Sequence, residues 1–359
     1  MGVDQAVGEP NVREQWVDFV RASGAAMVVV LHSAAPWLYR YGKSTAFDWH
    51  VANLVDSSVR SAVPIFVMLS GYLLINKRCS LFEHFKKRAS RIVLPWLFWS
   101  AVYVWWDGYR NHFAVGPLYA VRMFVSGNVY YHLWFVYVLL GLYFFVPIIC
   151  WMLGEDGHRR SVYFIAIWFL VASIVPYAER VSSSLSGGPV EFAGGLDMFG
   201  GYSGYLVLGS LAGGMHLSKR AVSALSAVLV LALGVTAVAT AVSTSKAGAF
   251  VSYYYGNLAP NIVVMSLCTF VLLKWMGKRL GRIQKIGVIV QRISSASFGI
   301  YLVHPMCLDM MRDGHVGDTL LHASQGGAVG IAVISASTFL AAFAISHIML
   351  MVPILRKVA

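Results

Sequence analysis

The segment Ala22-Ser-Gly-Ala-Ala-Met-Val-Val-Val-Leu-His-Ser-Ala-Ala-Pro-Trp-Leu-Tyr39 runs for eighteen residues without a charged side chain. As a helix rising 1.5 Å per residue it is about 27 Å long, close to the ~30 Å hydrocarbon core of a bilayer. A helix is also what such a stretch must form in lipid, because every backbone N–H and C=O then has a partner within the segment. Nine further apolar runs follow, at approximately 54–75, 92–106, 131–152, 161–177, 201–217, 221–243, 257–275, 295–311 and 327–352. The third and fifth are short, and Pro305 interrupts the ninth. The expectation is an all-α, polytopic integral membrane protein of about ten transmembrane helices. Residues 1–359 form a single membrane domain in this reading, after a short N-terminal segment at 1–20, and no soluble extracytoplasmic domain is expected.

Composition agrees. The chain is 58% hydrophobic and only 12% charged, whereas soluble domains carry about 25% charged residues. The formal charge of +12 does not indicate nucleic acid, because the basic residues form short clusters between apolar runs and no continuous stripe. Topology accounts for them: basic loops are retained in the cytoplasm. With the N-terminus inside, Arg13, Arg21, the segment Asn76–Arg91, Arg159, Arg160, Lys219, Arg220, the segment Lys274–Arg292, Arg356 and Lys357 fall on the cytoplasmic side, 20 of the 28 basic residues. Both termini are therefore expected in the cytoplasm. Met1 to Trp16 is polar and carries Asp4, Glu9 and Glu14, unlike a cleavable signal peptide. The long outer loops Trp106–Tyr130 and Tyr177–Gly200 are placed to cover an outward-facing site. Cys79, Cys150, Cys268 and Cys307 share no metal-ligand or redox spacing.

Polar side chains inside hydrocarbon mark functional paths, since burying them is costly. Arg21 and His32 stand eleven residues apart, about three helical turns and 16 Å, so a cation at the membrane mouth and an imidazole near the midplane share one helix face. In the second run Arg60 lies toward the outer end, and Ser70 and Tyr72 offer hydroxyls. Arg88 and Arg91, three apart before the third run, suit a phosphate bidentately, although anchoring at the inner surface explains such a cluster equally well. His132 and Trp134 lie in an aromatic belt at the start of the fourth run. Tyr301 and His304 are surface neighbours on the ninth. No two of His32, His132 and His304 have the i, i+4 spacing of a local ligand pair, so no metal site is expected.

Taken together, Arg21-x10-His32, Val63-Pro-Ile-Phe-Val-Met-Leu-Ser-Gly-Tyr72, Arg88-x-x-Arg91, His132-Leu-Trp134 and Ser297-Phe-Gly-Ile-Tyr-Leu-Val-His304 resemble, in order and over nearly the whole chain, the acyltransferase 3 family of bacterial membrane acyltransferases. Phe47-Asp-Trp-His-Val-Ala-Asn-Leu54 and Tyr131-His-Leu-Trp-Phe135 are most similar to its enterobacterial common antigen O-acetyltransferase group. The resemblance implies a multi-pass protein of the bacterial inner membrane that moves an acetyl group from cytoplasmic acetyl-CoA to a sugar hydroxyl of a surface polysaccharide or its lipid-linked precursor. It implies no tightly bound cofactor, with acetyl-CoA entering as donor substrate, and maps the residues needed for activity onto Arg21, His32, Arg88 and Arg91. The residues themselves fit that scheme, with Arg21, Arg88 and Arg91 as an acyl-CoA mouth. His32 would then act as general base or as acyl-carrying nucleophile. Arg60, Ser70, Tyr72, His132, Trp134, Tyr301 and His304 would contact the acceptor or the transition state. A transporter or flippase for a glycan-lipid is the alternative, disfavoured by the scarcity of Asp and Glu within the runs, where only Asp56 and Asp309 stand out.

Overall fold

The computed structural model describes residues 14–75, 89–154, 156–186, 201–318 and 326–359. Among them the chain is helical, with no strand, and eight helical stretches are long and apolar enough to cross a membrane. The helices are α1 (Gln15–Leu38), α2 (Ala46–Val59), α3 (Ala62–Ile75), α4 (Leu94–Arg110), α5 (Pro117–Ser126), α6 (Trp134–Leu153), α7 (Gly157–Phe169), α8 (Val175–Ser186), α9 (Ser203–Gly214), α10 (Lys219–Ala247), α11 (Pro260–Leu280), α12 (Gln284–Arg312) and α13 (Gly327–Met351). Helices α2 and α3 together make one crossing, and α7 and α8, joined by a π-helical turn at Leu170–Ile174, make another. Helices α4 and α9, 17 and 12 residues long, are shorter than the eight.

Contacts between distant residues set the directions. Asp18 near the start of α1 accepts from Ser294 Oγ at 2.6 Å, and Arg312 at the end of α12 reaches the His32 carbonyl, so α1 and α12 run parallel. Helix α13 runs back: the Ala328 amide at its start donates to Asp48 at 2.9 Å, and the Trp99 indole donates to the Val358 carbonyl at 2.9 Å just beyond its end. Gln15 and the C-terminal residues therefore lie at the same end of the bundle, as an even number of crossings requires. That end is called the terminal end below.

Several boundaries differ from the apolar runs for identifiable reasons. Helix α1 begins seven residues before its run, because Asp18 has Ser294 as partner and Trp16 packs against Tyr72 and Phe270. Helix α12 passes through Pro305 without a break and extends over 29 residues. The expected loop 106–130 contains the end of α4 and the whole of α5, whose residues are all at least partly exposed. The other expected loop begins as α8, and its residues 187–200 lie outside those described.

In lipid, hydrophobicity does not hold helices together, and small residues that let backbones touch do. The α3–α9 crossing is the clearest case. A Cβ on Gly71 would lie 1.9 Å from the Leu206 carbonyl oxygen, and one on Gly209 would lie 1.9 Å from that of Met68. Helix α10 shows the complementary pattern, with Ala232, Thr236, Thr240 and Thr244 buried at four-residue spacing and Val230, Leu231 and Val238 facing outward. Its polar stripe faces the bundle and its apolar face is left for lipid.

Because backbone cannot yield as a flexible side chain can, Gly209→Ala is expected to destabilise the detergent-solubilised protein by about 1–3 kcal/mol. Gly234→Ala, on α10 where no atom lies within 4 Å of the added methyl, is expected to leave it unchanged. Thermal unfolding of the two variants beside wild type checks both; equal melting would show that α3 and α9 are not so tightly apposed.

Candidate active site

Three histidines a hundred or more residues apart in the chain meet in the interior. His32 stacks on His304 with ring centroids 5.3 Å apart, and His132 meets His304 edge to face at 5.5 Å. His132 and His304 are buried and His32 is half-buried. Tyr131 packs on His32 at 5.0 Å, Tyr103 on the edge of His132 at 4.9 Å, and Tyr301 against His132 at 5.3 Å. Helices α1 and α12 supply His32 and His304, and the turn ahead of α6 supplies His132.

Two prolines explain how the histidines are held. A proline inside a helix has no N–H for the carbonyl four residues before it. Pro305 frees the carbonyl of Tyr301, and His304 Nδ1 lies 2.8 Å from that oxygen. A carbonyl only accepts, so Nδ1 carries the proton and Nε2 of the neutral ring keeps its lone pair. That Nε2 is buried without a protein partner. Pro36 likewise frees the carbonyl of His32, which accepts from Arg312 Nη2 at 2.8 Å, the Ser33 carbonyl lying 3.4 Å from the same nitrogen. Tyr301 Oη donates to the His132 backbone carbonyl and so fixes the third ring's position. Neither ring nitrogen of His132 has a hydrogen-bond partner; the Leu302 carbonyl near it accepts instead from Tyr103 Oη at 2.6 Å. Three imidazoles thus meet with two nitrogens of His132 and one of His304 unpartnered, in a site whose walls are otherwise mainly aromatic.

Two charged groups border the cluster. Arg60 pairs with the buried Asp56 one turn back, and its guanidinium lies 4.1 Å from the centre of the Tyr255 ring. Tyr255 is held in turn by Asn53 and Ser57. Arg60 lies within electrostatic reach of the His32 ring, and Arg312 is held at its backbone carbonyl. On the other flank Asp309 accepts from Tyr130 Oη and from Trp106 Nε1 at 3.1 Å, with Arg110 Nη1 at 3.3 Å. Arg110 also makes a fork with Asp313 at 2.7 and 2.9 Å.

Among the residues singled out from sequence, the structure brings His132, Tyr301 and His304 to His32 and sets Arg60 nearby. It does not bring Ser70, Tyr72 or Trp134 there. Tyr72 Oη donates to the Glu14 carboxylate at 2.9 and 3.0 Å, at the terminal end. It lies twelve residues along the same crossing from Arg60, about 18 Å in a helix. Ser70 is half a turn from Tyr72. Trp134 packs on Phe135 and Tyr202 and touches none of the three histidines. Arg21 is half-buried on α1 toward the terminal end, Arg91 is exposed in the π-helical turn before α4, and Arg88 lies outside the described residues. Among the described residues no group of three or more His, Cys, Asp or Glu is arranged to hold a metal ion.

Sequence reasoning passed over Arg312 and Lys274. The Lys274 ammonium is buried, donates to the carbonyls of Gly213 and Met215, and stands 5.5 Å from the Trp16 ring. For Arg312 a signal existed: Pro36 announces a carbonyl in need of a donor four residues earlier, although nothing local says which donor.

The family model for the acyltransferase 3 domain, described as "Acyltransferase domain", matches residues 14–347. Neither the curated proteins nor the solved structures contain a significant match to the chain.

In wild type, nitrogen NMR of labelled imidazoles is expected to show neutral His304 as the Nδ1-protonated tautomer. Pro305→Ala restores an amide N–H to the Tyr301 carbonyl, and the tautomers should then mix. A pure Nε2-protonated signal in wild type would refute the assignment.

Proposed function

Because the chain belongs to the acyltransferase 3 family and is a membrane acyltransferase, we propose that it is an O-acetyltransferase that carries acetyl from acetyl-CoA to a sugar hydroxyl. The acceptor in this reading is a cell-surface polysaccharide or its lipid-linked precursor, of the kind modified by the enterobacterial common antigen O-acetyltransferase group. The terminal end faces the cytoplasm of a bacterial inner membrane. The observation that carries the proposal is the meeting of His32, His132 and His304 deep in the bundle, with unpartnered ring nitrogens.

Acetyl-CoA enters from the terminal end. Arg21, Arg88 and Arg91 bind its phosphates, and the thioester reaches His32 along α1, about 16 Å further in. The acceptor hydroxyl arrives from the opposite end. His32 removes its proton as the oxygen attacks the thioester carbon; the C–S bond breaks, and the proton passes to the departing sulfur, giving ester and free CoA. Positioned imidazoles are typically worth about 10²- to 10⁴-fold in such a step. The bare Nε2 of His304 is left to accept from a neighbouring hydroxyl of the same sugar, which orients the acceptor. Negative charge developing on the thioester oxygen is met by Arg60, which lies within electrostatic reach of the His32 ring. Asp56 and Asp309, the acids that a coupled transporter needs free, are tied to Arg60 and to Tyr130, Trp106 and Arg110. Their engagement favours group transfer over ion-coupled transport.

Membranes holding equal amounts of wild type and His32→Ala, given radiolabelled acetyl-CoA, test this. The wild type is expected to label envelope glycan and His32→Ala to lose about 10²-fold or more of that rate. Equal labelling would remove His32 from the chemistry, and absence of labelling by wild type would count against acetyl transfer to glycan.

A further inference from the structure

A cavity of about 130 Å³ opens beside His32, between α1, α12 and α13. Ser33, Trp37, Arg40 and Arg312 line it, with Ile331 and Ile334 on its apolar side. Among the described residues no carboxylate pairs with either arginine. Arg312 uses Nη2 on the carbonyls of His32 and Ser33, and a guanidinium has donors beyond that nitrogen. Arg40 lies 4.7 Å from the centre of the Trp37 ring, which holds the guanidinium at the cavity without neutralising it.

These two cations are not accounted for by topology. The basic clusters that orient the chain gather at the terminal end, whereas Arg40 and Arg312 lie beyond His32 toward the other. Two like charges on one small cavity repel each other, an arrangement that an anion between them relieves. The Trp37 ring, largely buried, lines the same wall and carries the Arg40 guanidinium.

We propose that this cavity is an oxyanion subsite that recognises a phosphate or carboxylate on the sugar acceptor, one residue along α1 from His32. The proposal rests on the acyltransfer reading for the identity of the acceptor, and on Arg40, Arg312 and Trp37 alone for the chemistry. An anionic sugar seated there is anchored by the guanidinium whose Nη2 holds the His32 carbonyl, so binding at the subsite also fixes the backbone that carries the base.

Inorganic phosphate and glucuronate serve as probes, titrated by calorimetry against the full chain in nanodiscs of phosphatidylcholine. Wild type is expected to bind at least one of them. Arg40→Gln and Arg312→Lys should each weaken it about tenfold, while His32→Ala should leave it unchanged. Arg40 is exposed and makes no contact that the fold needs, so its variant remains informative if Arg312→Lys fails to fold. Binding of neither probe, or equal binding by Arg40→Gln, would overturn the subsite. So would a cavity that responds to phosphatidylglycerol in the nanodisc but to neither soluble anion, which would make it a lipid-headgroup site. Acetyl transfer by wild type with unaltered anion binding in Arg40→Gln would remove this inference alone. Anion binding lost in Arg40→Gln, with no acetyl transfer by wild type, would instead remove the acyltransfer reading and, with it, the assignment to a sugar acceptor.

Discussion

A backbone carbonyl without a donor is tolerable in water and expensive in hydrocarbon, where no solvent molecule can take the place of the missing N–H. Pro36 and Pro305 each create one such carbonyl, on His32 and on Tyr301, and the structure answers each with a side chain of the site: Arg312 for the first and His304 for the second. The first contact crosses from α12 to α1 and ties the two helices together, and the second lies within α12 and fixes which nitrogen of His304 holds the proton. Replacing either proline therefore alters the site's protonation pattern or anchoring before it alters the fold.

The third histidine depends on the same arrangement. His132 sits in a turn, where its ring would be free to move, but its backbone carbonyl accepts from Tyr301, on the residue whose own carbonyl Pro305 has exposed. One residue of α12 thus holds His304 through its carbonyl and His132 through its hydroxyl. Tyr103 and Tyr130, stacked at 4.5 Å, wall the ring in and connect it to the Asp309–Arg110–Asp313 network. Side chains placed this way are preorganised by a short chain of contacts, the condition for directing lone pairs without reorganisation.

Helix class and the placement of His32, His132 and His304 within the apolar bundle were legible in the sequence because hydropathy and intramembrane polarity are local signals. Their meeting was not, since helical spacing relates residues only within one helix. Pro305 was misleading: read alone it interrupts the ninth run, whereas the donor on His304, its immediate neighbour, lets α12 continue. Ser70 and Tyr72 share the apolar crossing with Arg60 and so looked available to the same site. Crossing length separates them, and the Glu14 carboxylate that claims Tyr72 lies 58 positions earlier in the chain.

The distribution of cations separates two uses of charge. A topogenic lysine or arginine needs only to be on the right side, so it is left exposed, as Arg159 and Arg160 are in the first turn of α7. An arginine held within the bundle has specific partners: Arg60 has Asp56 and the Tyr255 face, Arg110 has two carboxylates, and Arg312 has two carbonyls. Lys274 shows the second use at the terminal end. Helix α9 spans only 12 residues, and its last turn leaves carbonyls that a longer helix would carry to the membrane surface. The buried ammonium donates to Gly213 and Met215 at that turn and complements the negative end of the helix dipole. A short helix in the core is thereby closed off, on the element whose Gly209 meets the Met68 backbone of α3 in a contact that no Cβ would permit.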